Sequence, residues 1–154
     1  EISVSSTKIR NALLEGNMSL ASDCLGYDYF LTGTIVRGKQ LGRTINFPTA
    51  NLKIEENYKL IPQNGVYIVQ STINQKNVFG MMNIGFNPTV NGQNQSIEIH
   101  YFNFDADLYD QKIRVSILQR IRSEQKFESV DLLKEQLEKD KKATLHYLNT
   151  FYFS

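Results

Sequence analysis

Residues 33–52 read GTIVRGKQLGRTINFPTANL, and the interpretation of the whole chain starts from this stretch. It opens with three β-branched residues at 34–36, which favour an extended strand. Two glycines, Gly38 and Gly42, then stand four positions apart, and Pro48 fixes the backbone at the exit. The stretch therefore predicts a strand, a glycine-rich loop and the beginning of a second strand.

The glycine-rich loop has the composition of an anion-binding segment. Glycine lets backbone N–H groups approach an anion closely, and Lys39 and Arg43 add positive charge beside them. The sequence GxxxxGK[ST] is absent and Pro48 stands where a P-loop would continue into a helix, so this is not a P-loop. A glycine-rich hairpin with a prolyl exit explains the same residues equally well.

Thr49 and Asn51 stand two residues apart, so they share one face of an extended chain. A hydroxyl and an amide oxygen next to a phosphate-holding loop are suitable ligands for a hard cation such as Mg²⁺. The pair predicts a metal site at the start of the second strand.

Residues 38–52, GKQLGRTINFPTANL, closely resemble the signature of riboflavin kinases, GxxxGRxxGFPTANL. Asn46 stands where that family usually has glycine, and asparagine is one of the few other residues that tolerate left-handed geometry. The resemblance implies that Thr49 and Asn51 hold Mg²⁺. It also implies an ATP phosphate site made of Gly33, Arg37, Gly38, Lys39, Gly42, Arg43 and Thr49.

Composition limits the class of protein. A chain of 154 residues with 41% hydrophobic and 11% aromatic residues predicts one globular domain, with room for a small appendage. The net charge of +1 argues against a dedicated nucleic-acid binder. One cysteine rules out an internal disulfide and fits a reducing, cytoplasmic compartment. We find no apolar run near 18 residues, so no membrane partner is expected. A monomer is predicted as well.

Residues 1–28 differ from the rest and predict a short helical hairpin that ends near Gly26. The segment resembles the end of the adenylyltransferase domain of bifunctional bacterial FAD synthetases. That domain has a loop that helps to hold the phosphates of ATP, and Ser5, Ser6, Thr7 and Arg10 match the residues of this loop. The histidine-containing nucleotide motif and the sheet of that domain are absent. We therefore predict a remnant and linker at 1–28, a kinase domain at 29–154, and no conversion of FMN to FAD by this fragment.

The remaining chain alternates like a series of strands, predicted at about 29–37, 50–54, 66–73, 78–84, 97–104 and 112–120. Residues 85–89 are expected to break the pattern. Strands in sequence without helices between them predict a mainly β fold, a six-stranded antiparallel closed barrel of split Greek-key type. Ser129 is the predicted cap of a C-terminal helix.

Glu98 is the candidate general base. A carboxylate in the middle of a predicted strand is unusual if it faces a barrel wall, although most such residues simply face solvent. In riboflavin kinases the catalytic glutamate is followed two positions later by histidine, as in Glu98-Ile99-His100, so the resemblance favours catalysis by Glu98. His100 is expected to have a packing role. The acidic residues Asp105, Asp107 and Asp110 surround a turn that could bind a cation, but a solvated turn is the expected arrangement.

A flavin needs apolar walls and backbone hydrogen bonds to its ring heteroatoms. The resemblance implies that the flavin lies beside three segments, at residues 65–67, 83–89 and 122–127. It also implies that Phe127 and the start of the C-terminal helix cover the flavin ring. The implied flavin-binding residues are Gly65, Tyr67, Asn83, Gly85, Pro88, Thr89, Arg122 and Phe127.

Together these patterns predict an ATP:riboflavin 5′-phosphotransferase that makes FMN and ADP with Mg²⁺. Phosphoryl transfer needs held phosphates, a metal and an aligned acceptor hydroxyl, and the stretch 33–52 and Glu98 supply candidates for each. Two alternatives stay open. One is a barrel that binds FMN without catalysis, and the other is an oligonucleotide-binding barrel with salt-dependent affinity.

Overall fold

The computed structural model describes residues 6–36, 47–56, 59–89 and 92–153, with backbone only at 87–89 and 92–94. In chain order the elements are α1 (Ser6–Glu15), α2 (Met18–Leu25), β1 (Phe30–Val36), β2 (Ala50–Lys53), β3 (Gly65–Ile73), β4 (Lys76–Thr89), β5 (Gly92–Tyr101), β6 (Lys112–Arg122) and α3 (Val130–Phe151).

The six strands close into a barrel in the order β1-β2-β5-β4-β3-β6. Every neighbouring pair is antiparallel, so the predicted six-stranded antiparallel barrel is confirmed. The tight connection between β3 and β4 uses Asn74 and Gln75 at φ of 52° and 66°, the left-handed geometry that two-residue hairpins need. Closure leaves the strands of the barrel without a free edge over most of their length.

The inner faces of the strands follow the predicted alternation. On β5, Ile97, Ile99 and Tyr101 are buried, and on β6 the same holds for 113, 115 and 117. These side chains belong to one cluster that fills the barrel. Because alternate residues point to opposite faces, Glu98 and His100 are directed away from this core.

The predicted break at residues 85–89 is wrong. β4 continues to Thr89, and its last part pairs with β5, from Gly85 opposite Ser96 to Thr89 opposite Gly92. The pairing with β3 ends at Ile84, so the other edge of this part has no strand partner in the described barrel. Proline, which lacks a backbone donor, is tolerated at such an edge, and Pro88 therefore does not end the strand.

Two other strand ends also differ from the prediction. β5 ends at Tyr101 rather than 104, because Phe102 and Asn103 form a turn in which Asn103 has a φ of 52°. β6 extends to Arg122, and its pairing with β3 shows register shifts at two points. Both shifts lie in the second half of β6, and the one at Arg122 adjoins the cavity described below.

The predicted helical hairpin is present as α1 and α2. Gly16 and Gly26 follow the two helices with φ of 75° and 83°, and Gly26 is the left-handed C-cap of α2. Four residues of the hairpin are buried in the same cluster as the barrel interior, namely Ala12, Leu13, Met18 and Ala21. The hairpin therefore covers one end of the barrel.

The C-terminal helix α3 begins as predicted, with the Ser129 hydroxyl accepting a hydrogen bond of 3.1 Å from the Leu132 amide. Leu133 and Leu137 pack partly buried against the barrel, whereas Val130, one turn before Leu133, is exposed. Among the described residues, no helix is long and apolar enough to cross a membrane.

Candidate active site

Glu98 and Thr49 meet although 49 positions separate them in the sequence. β2 pairs with β5 so that Asn51 lies opposite Glu98, which brings the start of β2 to the middle of β5. The Thr49 hydroxyl Oγ1 donates to Glu98 Oε1 across 3.2 Å. Glu98 is only partly exposed. The carboxylate is therefore held at a protein wall and is not free in bulk water.

Two cavities adjoin this pair. The first has a volume of about 670 Å³ and lies between the barrel, the segment 122–129 and the start of α3. The second has a volume of about 380 Å³ and lies between β1, β2 and residues 104–109. Glu98 lines the first cavity, Asn51 lines the second, and Thr49 lines both. Thr49 thus stands at the boundary of two compartments.

The predicted flavin residues separate into two groups. Asn83, Arg122 and Phe127 line the first cavity. Gly85 lies beside it, because a Cβ there would stand 1.8 Å from an oxygen of Glu124, another residue of the cavity wall. The absence of a side chain at position 85 lets the Glu124 carboxylate rest against β4.

Two of the other flavin candidates, Tyr67 and Gly65, lie elsewhere. Tyr67 is fully buried in the barrel core, where its hydroxyl donates to the Gln63 carbonyl. Gly65 adjoins Arg120, whose Nε would be 2.7 Å from an added Cβ. Neither Tyr67 nor Gly65 is among the described lining residues. Pro88 and Thr89 belong to β4, and their side chains are outside the description.

Most of the predicted phosphate loop lies outside the described residues, namely Arg37, Gly38, Lys39, Gly42 and Arg43. Gly33 is described and is buried in β1, where an added Cβ would stand 2.4 Å from the Lys53 carbonyl oxygen. Its immediate surroundings are therefore those of strand packing.

Of the predicted adenylyltransferase loop, Ser5 is outside the description, while Ser6, Thr7 and Arg10 are exposed residues of α1. None of these three is among the described residues that line a cavity.

His100 packs beside Thr49 and Glu98 but makes no hydrogen bond to either in the described part of the chain. Its Nδ1–H donates to the Pro48 carbonyl across 2.8 Å, since a carbonyl can only accept. The ring also packs near Phe47 and Phe102, with ring centres 5.1 and 5.6 Å away. Burial lowers the pKa of His100, outweighing the Pro48 hydrogen bond, which raises it. The uncharged His100 side chain therefore holds the backbone at Pro48, the residue before Thr49, through this hydrogen bond.

This lowered pKa has a consequence for stability. The unfolded chain binds a proton at the usual histidine pKa of about 6.5, whereas the folded chain resists it. Uncharged His100 therefore lets the folded state keep its full stability above about pH 6.5. The free energy of unfolding then decreases as the pH falls through the folded pKa, because the unfolded chain takes up the proton more readily. We expect His100→Asn to reduce the drop in Tm between about pH 7.5 and about pH 5.5. Thermal melts check this, with exposed His146→Asn as the control, and equal drops in all three proteins would contradict it.

One group at the site was missed by the sequence reasoning. Asp140 is 1% exposed and forms an ion pair with Arg122. Its signal was its place on the apolar stripe of α3, between Leu137 and Thr144 at spacings of three and four. The predicted acidic turn was named from the sequence, and its Asp105 and Asp107 are exposed as expected and also line the second cavity.

The residues at the boundary suit a hard cation. Thr49 supplies a hydroxyl oxygen, Asn51 an amide oxygen, and both line the second cavity. Within the described ranges there is no cluster of three or more His, Cys, Asp or Glu side chains that could hold a metal. Thr49 and Asn51 therefore stay the candidate ligands at this boundary.

Comparison with known proteins identifies the family of this chain. The family model for flavokinase, or riboflavin kinase, matches residues 25–148. The chain belongs to the riboflavin kinase family. A bifunctional riboflavin kinase/FMN adenylyltransferase of Bacillus subtilis is 40% identical over 149 residues, which is 95% of this chain and 47% of that protein. The Escherichia coli K12 protein of the same name is 41% identical, covering 90% of this chain and 44% of its own length. The chain thus spans about half the length of these relatives.

Two solved structures share the fold. A crystal structure of a macrolide-efflux protein from Streptococcus pneumoniae has a TM-score of 0.86 and 39% identity, covering 92% of this chain and 46% of that one. A riboflavin kinase from Trypanosoma brucei has a TM-score of 0.54 and 24% identity, covering 78% and 79%. The second likeness shows that the riboflavin kinase family's barrel is retained when the sequence has largely diverged.

Proposed function

We propose that this riboflavin kinase domain transfers the γ-phosphate of ATP to the 5′-hydroxyl of riboflavin and releases FMN and ADP. The observation that supports the proposal best is the hydrogen bond between Thr49 and Glu98 at the boundary of two cavities. A phosphoryl transfer enzyme must hold donor and acceptor on opposite sides of one reacting centre.

The first cavity suits riboflavin. Its volume of about 670 Å³ is within the range of about 300–1,000 Å³ that is typical of small-molecule sites. Its walls include apolar side chains from the barrel and from α3, among them Phe47, Met81, Phe127 and Leu137. A flat aromatic ring system gains the most from such walls. We therefore assign the isoalloxazine ring to this cavity and the ribityl tail to the side of Glu98.

The second cavity suits the nucleotide. Val36 lines it, and the predicted phosphate loop begins at the next residue. Thr49 and Asn51 line it as well, so phosphates placed here would meet the proposed cation ligands. We accordingly propose that ATP enters from this side and that its terminal phosphate reaches the boundary formed by Thr49.

In this mechanism Glu98 accepts the proton of the ribityl 5′-hydroxyl. The hydroxyl oxygen then bonds to the γ-phosphorus, while the bond from the γ-phosphorus to the oxygen that leaves with ADP breaks. The Thr49 hydroxyl fixes the carboxylate by donating to it. A hydroxyl oxygen keeps its lone pairs when its hydrogen is donated, so Thr49 can also serve as a cation ligand. When bound by Thr49 and Asn51, Mg²⁺ would neutralise charge on the phosphate oxygens.

The direct test is incubation of the purified chain with riboflavin, ATP and Mg²⁺, with flavins and nucleotides separated by chromatography. The proposal expects FMN and ADP in equal amounts. Binding of FMN without release of ADP would support the alternative of a non-catalytic FMN-binding barrel. Affinity for single-stranded oligonucleotides that falls steeply with salt would support the nucleic-acid alternative.

Thr49→Ala is expected to damage the use of Mg²⁺-ATP. The variant loses a cation ligand and a hydrogen bond to a charged group, which is worth about 1.5–3 kcal/mol, so we expect the KM for ATP and the Mg²⁺ requirement to rise about 10-fold or more. Thr49→Ser, which keeps the hydroxyl, is the matched control and should stay near wild type. Titrations of Mg²⁺ and ATP check this, and an unchanged Mg²⁺ dependence in Thr49→Ala would contradict the assignment.

Other features of the prediction remain proposals. We propose a cytoplasmic monomer that acts on small molecules, in keeping with a net charge of +1 and a single cysteine. The division at residue 28 and the origin of residues 1–28 in an adenylyltransferase domain also stay proposals. The bifunctional relatives are about twice as long as this chain. We propose that the adenylylation of FMN in such proteins belongs to the part outside the region that matches residues 29–154.

A further inference from the structure

Asp140 is a charged side chain on the buried side of α3. It is 1% exposed, and its carboxylate is fully engaged by two partners. Arg122 donates from Nε at 2.9 and 3.1 Å and from Nη2 at 2.8 Å. Gln136, one turn earlier on the same helix, donates from Nε2 at 2.9 Å. This arrangement fixes both the place and the direction of the Arg122 guanidinium, because a two-point fork allows little rotation.

Arg122 connects this ion pair to the first cavity. It is the last residue of β6, and the register of β6 with β3 shifts between Arg120 and Arg122, so that one extra residue, Ile121, is inserted. Such bulges redirect the side chains that follow them. Arg122 lines the cavity and its Nη1 donates to the Ser123 carbonyl at 3.0 Å. Its guanidinium also lies 5.8 Å from the centre of the Phe127 ring.

From this geometry we infer that Asp140 is a positioning residue for the acceptor substrate. Asp140 holds Arg122, and Arg122 contacts Ser123 and Phe127 at the two ends of a segment whose residues 124–127 line the first cavity. Asp140 itself is not among the described residues that line the cavity, so it acts through Arg122. The inference rests on the proposed function, because it takes the first cavity as the riboflavin site.

A purely stabilising role explains the ion pair less well. Burying two charges costs solvation that their attraction often only balances, and apolar side chains of similar size can be equally stable. The neighbouring positions 133, 137 and 148 on this face of α3 are leucines that pack on the barrel without any charge. A directed fork at position 140 provides orientation, which a leucine could not provide.

Asp140→Asn tests this with a nearly isosteric change that removes the charge. We expect the Kd for riboflavin, followed by flavin fluorescence, and the KM for riboflavin to rise about 10-fold or more, as misplaced binding groups commonly cause. The KM for ATP should stay within about 2-fold of wild type, because the second cavity lacks contact with Arg122 in the described chain. Asp140→Glu keeps the carboxylate and should recover most of the affinity.

Leu148→Ala is the matched structural control. Leu148 is 1% exposed on the same helix and packs with Ile68 and Leu118, away from the ion pair. This variant should lose stability and keep its riboflavin affinity. A rise in Kd equal to that of Asp140→Asn would show that any weakening of α3 has the same effect, and would overturn the inference.

Arg122→Lys covers the case in which Asp140→Asn does not fold. It keeps a cation opposite Asp140 but loses the fork, so a higher Kd for riboflavin is expected. Unchanged riboflavin binding in the folded variants overturns the inference even if the wild type makes FMN. If the wild type makes no FMN, the proposed function fails, and the fluorescence titrations still decide the role of Asp140.

Discussion

Glu98→Gln is expected to lower kcat for FMN formation by about 10²-fold or more, the usual contribution of a positioned general base. Glutamine has the size of glutamate but cannot accept the proton of the ribityl hydroxyl. It still offers an oxygen to the Thr49 hydroxyl, which donates to Glu98 Oε1 at 3.2 Å in the wild type. The change therefore removes the base and keeps the local hydrogen bond.

Steady-state kinetics with riboflavin and ATP measure this effect, and both KM values should stay within about 3-fold, since no bound substrate group is removed. Glu135→Gln is the matched control, because Glu135 is an exposed carboxylate on α3 outside the described lining of both cavities. If FMN formation by Glu98→Gln stays within a few-fold of wild type, the role of Glu98 as base is wrong.

The barrel could be predicted because its inner faces alternate. Ile97, Ile99 and Tyr101 show the period of two that only a strand with one buried face requires, and the structure buries all three. The tight turn at 74–75 also has a local signal, since asparagine and glutamine there separate two apolar runs. These signals are local, and local signals are what a sequence states most directly.

The course of β4 could not be predicted from its own residues. Gly85 and Pro88 are both residues that weaken a strand, yet β5 supplies hydrogen-bond partners up to Thr89. The partner strand thus decided the outcome, and nothing within residues 85–89 states that β5 lies beside them.

The candidate site was predicted unevenly for a related reason. Spacing alone left Glu98 as a solvent-facing carboxylate or a base, and the resemblance to riboflavin kinases decided between them. The structure then shows the contact with Thr49, which comes from the β2–β5 register and not from any local pattern. Asp140 was passed over because a helical stripe treats an acidic residue as an interruption, whereas its partner Arg122 lies on a different element.

The second large effect is expected at Gly33, in the stability of the barrel. The sequence assigned Gly33 to the phosphate site, but an added Cβ would stand 2.4 Å from the Lys53 carbonyl oxygen and 3.0 Å from Leu52 Cγ. Thr34 pairs with Lys53 here, so the clash is with the backbone of the adjacent strand and cannot be relieved by rotating a side chain. Overpacking costs typically about 1–3 kcal/mol, and a backbone clash belongs at the upper end.

We therefore expect Gly33→Ala to lower the free energy of unfolding by about 3 kcal/mol and Tm by roughly 6–12 °C for a domain of this size. Gly26→Ala is the informative control, because its Cβ would meet nothing within 4 Å and only the left-handed φ of 83° opposes it. That variant should lose about 1–2 kcal/mol. Thermal melts with and without ATP distinguish the two roles of Gly33. A Gly33→Ala protein with wild-type Tm and weakened ATP binding would support the phosphate role and contradict the packing role, because a steric clash in the strand lowers Tm whether or not nucleotide is present.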